Sequence, residues 1–294
     1  MTRPIRGSIF RTVVPVLALA LLAGCSLRSI AVRSAAEILP RGIAAFYEEP
    51  DPALAREAMG SQLKLVEVLL KNDPGNPELL LAAAQGFGGY AFLFLEDEAP
   101  DRAKRIYARG RDFGIRALGK VLPARFDREP DLGKFSAMLG KVGKRDAGLL
   151  FWTAYAWGGW ADLSRNDPQA LADLPKVEAM MRRVEELSPG YFFGGPDLFF
   201  GAYYGSRPRI LGGDPEKSRS HFERAVAASD GKFLMARVLY AQFYGVPSGD
   251  RELFRRSLEA ALAGSPADLP EQRLANEVAR IRARKLLEAI DELF

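Results

Sequence analysis

The chain has 294 residues, 48% of them hydrophobic, with 41 Lys and Arg against 37 Asp and Glu, one histidine and one cysteine. A single histidine and a single cysteine exclude His-rich metal centres and an internal disulfide, and a cysteine read as lipidated, as argued below, leaves no Cys/His catalytic dyad. The formal charge of +4 is concentrated at the N-terminus, where Arg3, Arg6 and Arg11 have no acidic neighbour; the rest is close to neutral and makes no electrostatic case for nucleic acid.

The first element is a leader. Behind those arginines runs the apolar stretch Thr12 to Leu22, followed by small residues, in the order of an export signal. The stretch is shorter than the about 20 residues of a membrane-spanning helix. Leu22-Ala23-Gly24-Cys25 resembles the lipobox of bacterial lipoproteins, whose cysteine is lipidated and becomes the first residue after cleavage. This reading predicts a signal peptide over 1–24, a lipidated tether over 25–34 anchored through Cys25, and one domain over 35–294. Ser26, rather than aspartate, follows the cysteine and favours the outer membrane, with the body in the periplasm. The mature length suffices to bury most of the apolar surface.

From the tether onward the chain reads as helix. There is no sustained period-two alternation of strand type. Helical runs are separated by "EEPDP", "KNDPGNPEL", "EDEAPD", "RNDPQALADLP", "LSPG", "GGDPEK", "GVPSGD" and "AGSPADLPE". Most of these put Asp, Asn or Ser before Pro, which suits an N-cap followed by proline in the first turn. Regular helices of this length predict an all-α array of antiparallel helix pairs, of tetratricopeptide-like type. Phe87, Tyr90-Ala91 and Phe94 fit the first helix of such a unit, and Ala103, Tyr107 and Gly110 the second. Phe200-Gly201 and Tyr204, then Ser218, Phe222 and Ala225, repeat the pattern, while Val177, Met181, Val184 and Pro189 keep the second-helix spacing. Over Asp101 to Gly119, Ala103, Ile106, Tyr107, Gly110, Gly114, Ala117 and Leu118 share one face at helical spacing. Interior glycines cost about 1 kcal/mol each against alanine, so Gly110 and Gly114 predict a close helix contact.

Few residues suggest chemistry. No Gly-x-Ser-x-Gly elbow occurs, and "GKVGKRD" (Gly140 to Asp146) lacks the spacing of a phosphate loop. No acid–base carboxylate pair can be assigned. In "GGDPEKSRSHF", Asp214 and Pro215 read as a helix start, and His221 as a surface or boundary residue beside Phe222. The expectation is therefore no enzyme, no cofactor and no metal.

The longest distinctive segment, Ile210 to Leu262, resembles the T-component family of TRAP transporters (TatT), as do "DEAPDRAKRIYARGRDFGIRAL" and "LLFWTAYAWGGWADLS". The resemblance spans roughly Leu80 to Leu262 and agrees with the lipobox. It implies a non-catalytic lipoprotein of tetratricopeptide-like helices, anchored in the bacterial envelope, that works beside the periplasmic substrate-binding protein of a TRAP uptake system. It further implies an apolar or organic-acid ligand. A tetratricopeptide scaffold for envelope assembly is the alternative, and a homo-oligomer is left open.

Two features bear on binding. Aromatics and glycines are dense in Trp152 to Trp160 and Tyr191 to Tyr204; they either fill helix packing or wall an apolar channel. As a ligand-facing wall the candidates are Trp152, Trp157, Trp160, Phe199, Tyr203 and Tyr204, with Gly194 and Gly195 letting the chain turn. Residues 101–145 hold thirteen Lys and Arg against five Asp and Glu, read as a solvated face, with anionic lipid or an acidic partner as alternatives.

Overall fold

The structure is a computed structural model that describes residues 42–294. The predicted signal peptide, Cys25 and the tether lie outside the described residues. A short helical stretch over 42–47 precedes α1 (Pro52–Asn72), α2 (Pro77–Phe94), α3 (Pro100–Leu118), α4 (Leu132–Leu139), α5 (Ala147–Asp162), α6 (Pro168–Leu187), α7 (Tyr191–Gly205), α8 (Pro215–Ala227), α9 (Leu234–Tyr240), α10 (Arg251–Ala263), α11 (Arg273–Glu288) and α12 (Ile290–Leu293). The α9 helix continues through a π-helical stretch, Ala241–Gly245, into a last turn, Val246–Ser248. No strand occurs among the described residues. No helix among them is long and apolar enough to cross a membrane.

The Asp-Pro and Asn-Pro junctions act as helix starts. Asp51, Asn76, Asp167 and Asp214 each accept a hydrogen bond from a first-turn amide, and each precedes a proline that has no amide to leave unpaired. Pro175 departs from this rule. It was expected to help break the chain, but it lies inside α6. Proline there leaves the carbonyl four residues earlier, on Leu171, without its helical amide; Leu171 is half exposed, so water can take the amide's place.

Short loops fold the helices into pairs, with α2 packed on α3, α5 on α6, α7 on α8 and α10 on α11. The closest packing joins α2, α3 and α5. A Cβ on Gly110 would stand 3.2 Å from both the Ala156 Cβ and the Ala84 carbonyl, and one on Gly114 would stand 2.8 Å from the Thr153 Cβ. These glycines therefore set the helix separation, and the face predicted from spacing is buried except for the half-buried Ile106. The α7–α8 pair repeats the device: the Ser218 hydroxyl donates to the Gly201 carbonyl at 2.8 Å, and a Cβ on Gly201 would meet the Phe222 ring at 2.8 Å.

The array does not stay open. The α11 helix contacts α1, and its Arg282 reaches Asp97 and the Phe92 carbonyl at the end of α2. The inner surface of the helices is thereby wrapped around a cavity.

Candidate functional site

The cavity has a volume of about 810 Å³ and draws its lining from elements between Tyr47 and Arg282. Its wall is chiefly apolar. Trp152 and Phe151 come from α5, Phe199 and Leu198 from α7, and Met235 and Leu239 from α9. The size falls within the range of small-molecule pockets.

Phe192 enters this wall by an unusual route. Phe192, Phe193 and Gly194 have φ of 48°, 56° and 79° at the start of α7. Left-handed backbone is costly for a bulky residue, on the order of 1 kcal/mol or more each. The turn that the Gly194-Gly195 pair predicted is real, but its left-handed conformation begins on two phenylalanines. The result sets the Phe192 ring edge-on against Trp152, with centroids 4.7 Å apart. A Cβ on Gly195 would collide with the Phe151 ring at 2.6 Å, so that glycine makes room for the aromatic cluster.

Of the six residues expected to face a ligand, three line the cavity: Trp152, Phe199 and Tyr203. The other three do not. Trp157 is 2% exposed and donates its indole N–H to Asp173 at 3.1 Å. Trp160 lies under the Arg111 guanidinium, 4.3 Å from its ring. Tyr204 stacks on His221 with centroids 5.8 Å apart. Helical spacing separates the groups: Trp152, Tyr155 and Gly159 recur on the face of α5 that lines the cavity, and Trp157 and Trp160 point elsewhere.

Sequence reasoning missed the polar pole. Glu96, Asp97, Asp162, Arg165 and Arg282 line the cavity with Tyr107 and Tyr155. Asp97 accepts from Arg282 Nε at 2.7 Å, and Asp162 pairs with Arg165 at 2.5 Å. Glu96 Oε1 accepts from the Tyr107 hydroxyl at 2.8 Å, and the Tyr155 ring lies edge-on to Tyr107 with centroids 6.3 Å apart. Burial pushes the Glu96 carboxyl up to about 7, against the opposing pull of Arg282 and the Tyr107 bond. Burial also raises Tyr107 and Tyr155 well above the usual phenol range, so both stay protonated donors. The only sequence signal was the acidic run "EDEAPD", which resembles an ordinary solvated junction.

At another edge of the cavity lie Arg207, Pro208 and Leu211. Arg207 stacks on the Tyr203 ring at 3.5 Å, and the Tyr203 hydroxyl donates to Glu178 at 2.7 Å. Ile210 beside them is 91% exposed.

His221 is half-buried, as a boundary residue, and its Nδ1 lies 2.7 Å from Asp197 Oδ1. Glu185 is close enough to join them in a metal-like cluster, but Arg224 already occupies Asp197 with two hydrogen bonds, of 3.0 and 2.7 Å. A guanidinium in that place supplies the charge that a cation would bring. The basic stretch is likewise partly used within the fold. Arg109 pairs with Glu67, and Arg116 donates to the Pro74 carbonyl at 2.8 Å.

Sequence comparison relates the chain to known proteins. The chain is 26% identical to an uncharacterized protein of Treponema pallidum (strain Nichols), over 93% of this chain and 94% of that one. Residues 48–294 match the family model described as TRAP transporter T-component. That match covers most of the chain, including the helices that close the cavity, and the protein belongs to the TRAP transporter T-component family.

Proposed function

We propose that the protein is a non-catalytic periplasmic lipoprotein that holds an apolar ligand in its central cavity and exchanges it with the substrate-binding protein of a TRAP uptake system. Family membership ties the chain to TRAP transport and to the periplasmic side of the envelope. The observation that carries the finer reading is the aromatic-lined cavity of about 810 Å³. Apolar walls of this kind favour burial of apolar ligand surface, at roughly 25 cal/mol per Å². Closure of the array by α11 turns the inner face into a chamber, which suits a small molecule better than a polypeptide laid along an open groove. Lipidation at Cys25 would confine the domain to the membrane surface, so that a weak contact with the soluble binding protein suffices. The wall residues in this reading are Trp152, Phe199 and Tyr203.

The test is a titration of the purified chain with the TRAP substrate-binding protein encoded beside it, with and without that protein's ligand. Association at micromolar concentrations and transfer of ligand between the two support the reading. No association at high micromolar concentrations, with normal uptake in a deletion strain, overturns it in favour of a scaffold in envelope assembly.

A further inference from the structure

We propose that the ligand of this cavity carries a protonated amine, seated against Glu96, on an otherwise apolar body. The inference rests on the ligand-holding reading above and specifies its chemistry.

The polar pole contains three carboxyls and two guanidiniums. The guanidiniums are taken: Arg282 holds Asp97, and Arg165 holds Asp162. Glu96 has no cation within 4.0 Å, since no such pair forms among the described residues. Its Oε1 takes the Tyr107 proton donor, and its Oε2 accepts from no protein group among the described residues. The residue is half-buried, and it lines the cavity. A carboxyl so placed keeps a free acceptor at the cavity wall, and a ligand that displaces water there must supply a donor in its place.

Three head groups can be compared at this position. A carboxylate would join three existing carboxyls and be repelled. A hydroxyl could donate one hydrogen bond but would leave the charge uncompensated. An ammonium would supply both the donor and the third cation. The surrounding rings favour the same choice: Tyr107 and Tyr155, with centroids 6.3 Å apart, present π-systems that attract cations. The Tyr107 hydroxyl also holds the carboxyl in one orientation, so little ordering remains when the ligand arrives. The rest of the ligand lies along Phe151, Trp152, Phe192 and Phe199.

The experiment uses three probes of equal chain length, dodecylamine, dodecan-1-ol and dodecanoate, titrated into the purified full chain at pH 8. Intrinsic tryptophan fluorescence is the readout; of the three tryptophans, Trp152 lines the cavity. The amine is expected to bind about tenfold or more tighter than the alcohol, with the acid weakest. Glu96→Gln should bring the amine to the affinity of the alcohol while moving the alcohol by less than about threefold. Tyr107→Phe, which frees the carboxyl without removing it, provides a second variant and should weaken the amine selectively. Dodecanoate binding as tightly as the amine, or an amine preference that survives Glu96→Gln, overturns the proposal. Equal binding of all three leaves the ligand-holding reading standing and removes only the amine. Binding of none removes both.

Discussion

Arg282 on α11 places its Nε 2.7 Å from Oδ2 of Asp97, beside the end of α2, across 185 residues of chain. The guanidinium also donates to the Phe92 carbonyl and covers the Phe92 ring at 4.6 Å. Arg282 is 7% exposed, while the Asp97 side chain is 49% exposed. The pair is thus a buried cation clamped by a half-hydrated anion, and it closes the array around the cavity.

Breaking this clamp should cost more than breaking a surface pair. Arg282→Met leaves Asp97 able to rehydrate but removes the hydrogen bonds and the ring contact, for an expected loss of about 1–3 kcal/mol. Arg251→Met, whose partner Asp291 is likewise on the surface, should cost less than about 1 kcal/mol. Urea denaturation of both variants checks the order. Equal small losses would mean that closure does not depend on Arg282.

Glycine substitutions should separate by sign. Gly114→Ala forces a methyl into Thr153 and should cost about 1–3 kcal/mol by overpacking the α3–α5 contact. A Cβ on Gly60, within α1, would meet nothing within 4 Å. Gly60→Ala should therefore stabilise by about 0.5–1 kcal/mol through helix propensity alone. Thermal melts of the two variants, shifted in opposite directions, are the expected outcome.

These contrasts mark what could be read from the chain. Helix starts were legible because an Asp-Pro or Asn-Pro pair supplies a cap and a fixed φ locally, as at Asp51 and Asp214. The buried face of α3 was legible because Gly110 and Gly114 recur at helical spacing. Pro175 was not, since the same residue that starts a helix is tolerated inside one where the freed carbonyl meets water. The cavity was legible only in its aromatic content. Glu96 reaches the cavity wall beside Tyr107 and Tyr155, with Arg282 of α11 on the same wall, and no pattern in sequence links those residues. The left-handed turn at Phe192 and Phe193 was also hidden, because phenylalanine carries no preference for that backbone; only Gly194 and Gly195 hinted at a turn.

Stability should fall as pH rises through the range set by Glu96. Its carboxyl is raised in the fold from 4.5 to about 7, so the folded state holds the proton more tightly than the unfolded chain. The penalty is absent below about pH 4.5 and complete above about pH 7, where it reaches about 3 kcal/mol. Glu96→Gln keeps an acceptor for Tyr107 and does not titrate. It should match the parent near pH 5 and exceed it in stability at pH 8. A difference between the two proteins that does not vary with pH would show that Glu96 remains ionised throughout.

The anchor can be tested apart from the domain. Cys25→Ala should abolish incorporation of a fatty-acid analogue and release the protein from the membrane fraction. Label retained by the variant would remove the lipoprotein assignment and leave the cavity untouched.

The aromatic residues near the cavity should divide into two behaviours. Trp157 faces away from it and donates to Asp173, which also accepts from Gln169 at 2.9 Å. Trp157→Phe deletes the indole donor and part of a buried ring, so it should cost about 1–3 kcal/mol while leaving ligand affinity unchanged. Ala202 lies on the cavity wall in α7. Ala202→Trp adds an indole at a half-buried wall position that also borders the Phe222 and Tyr240 cluster. It should block binding of a dodecyl probe while the chain still folds, at an overpacking cost of about 1–3 kcal/mol. The two variants thus part on binding: one folds and binds, the other folds and does not bind. Chemical denaturation and fluorescence titration on the same samples read both properties. If Ala202→Trp binds the probe as well as the parent does, the chamber is not where the ligand sits. The exposed edge at Ile210 and Leu211 would then be the place to look for the contact that the family role requires.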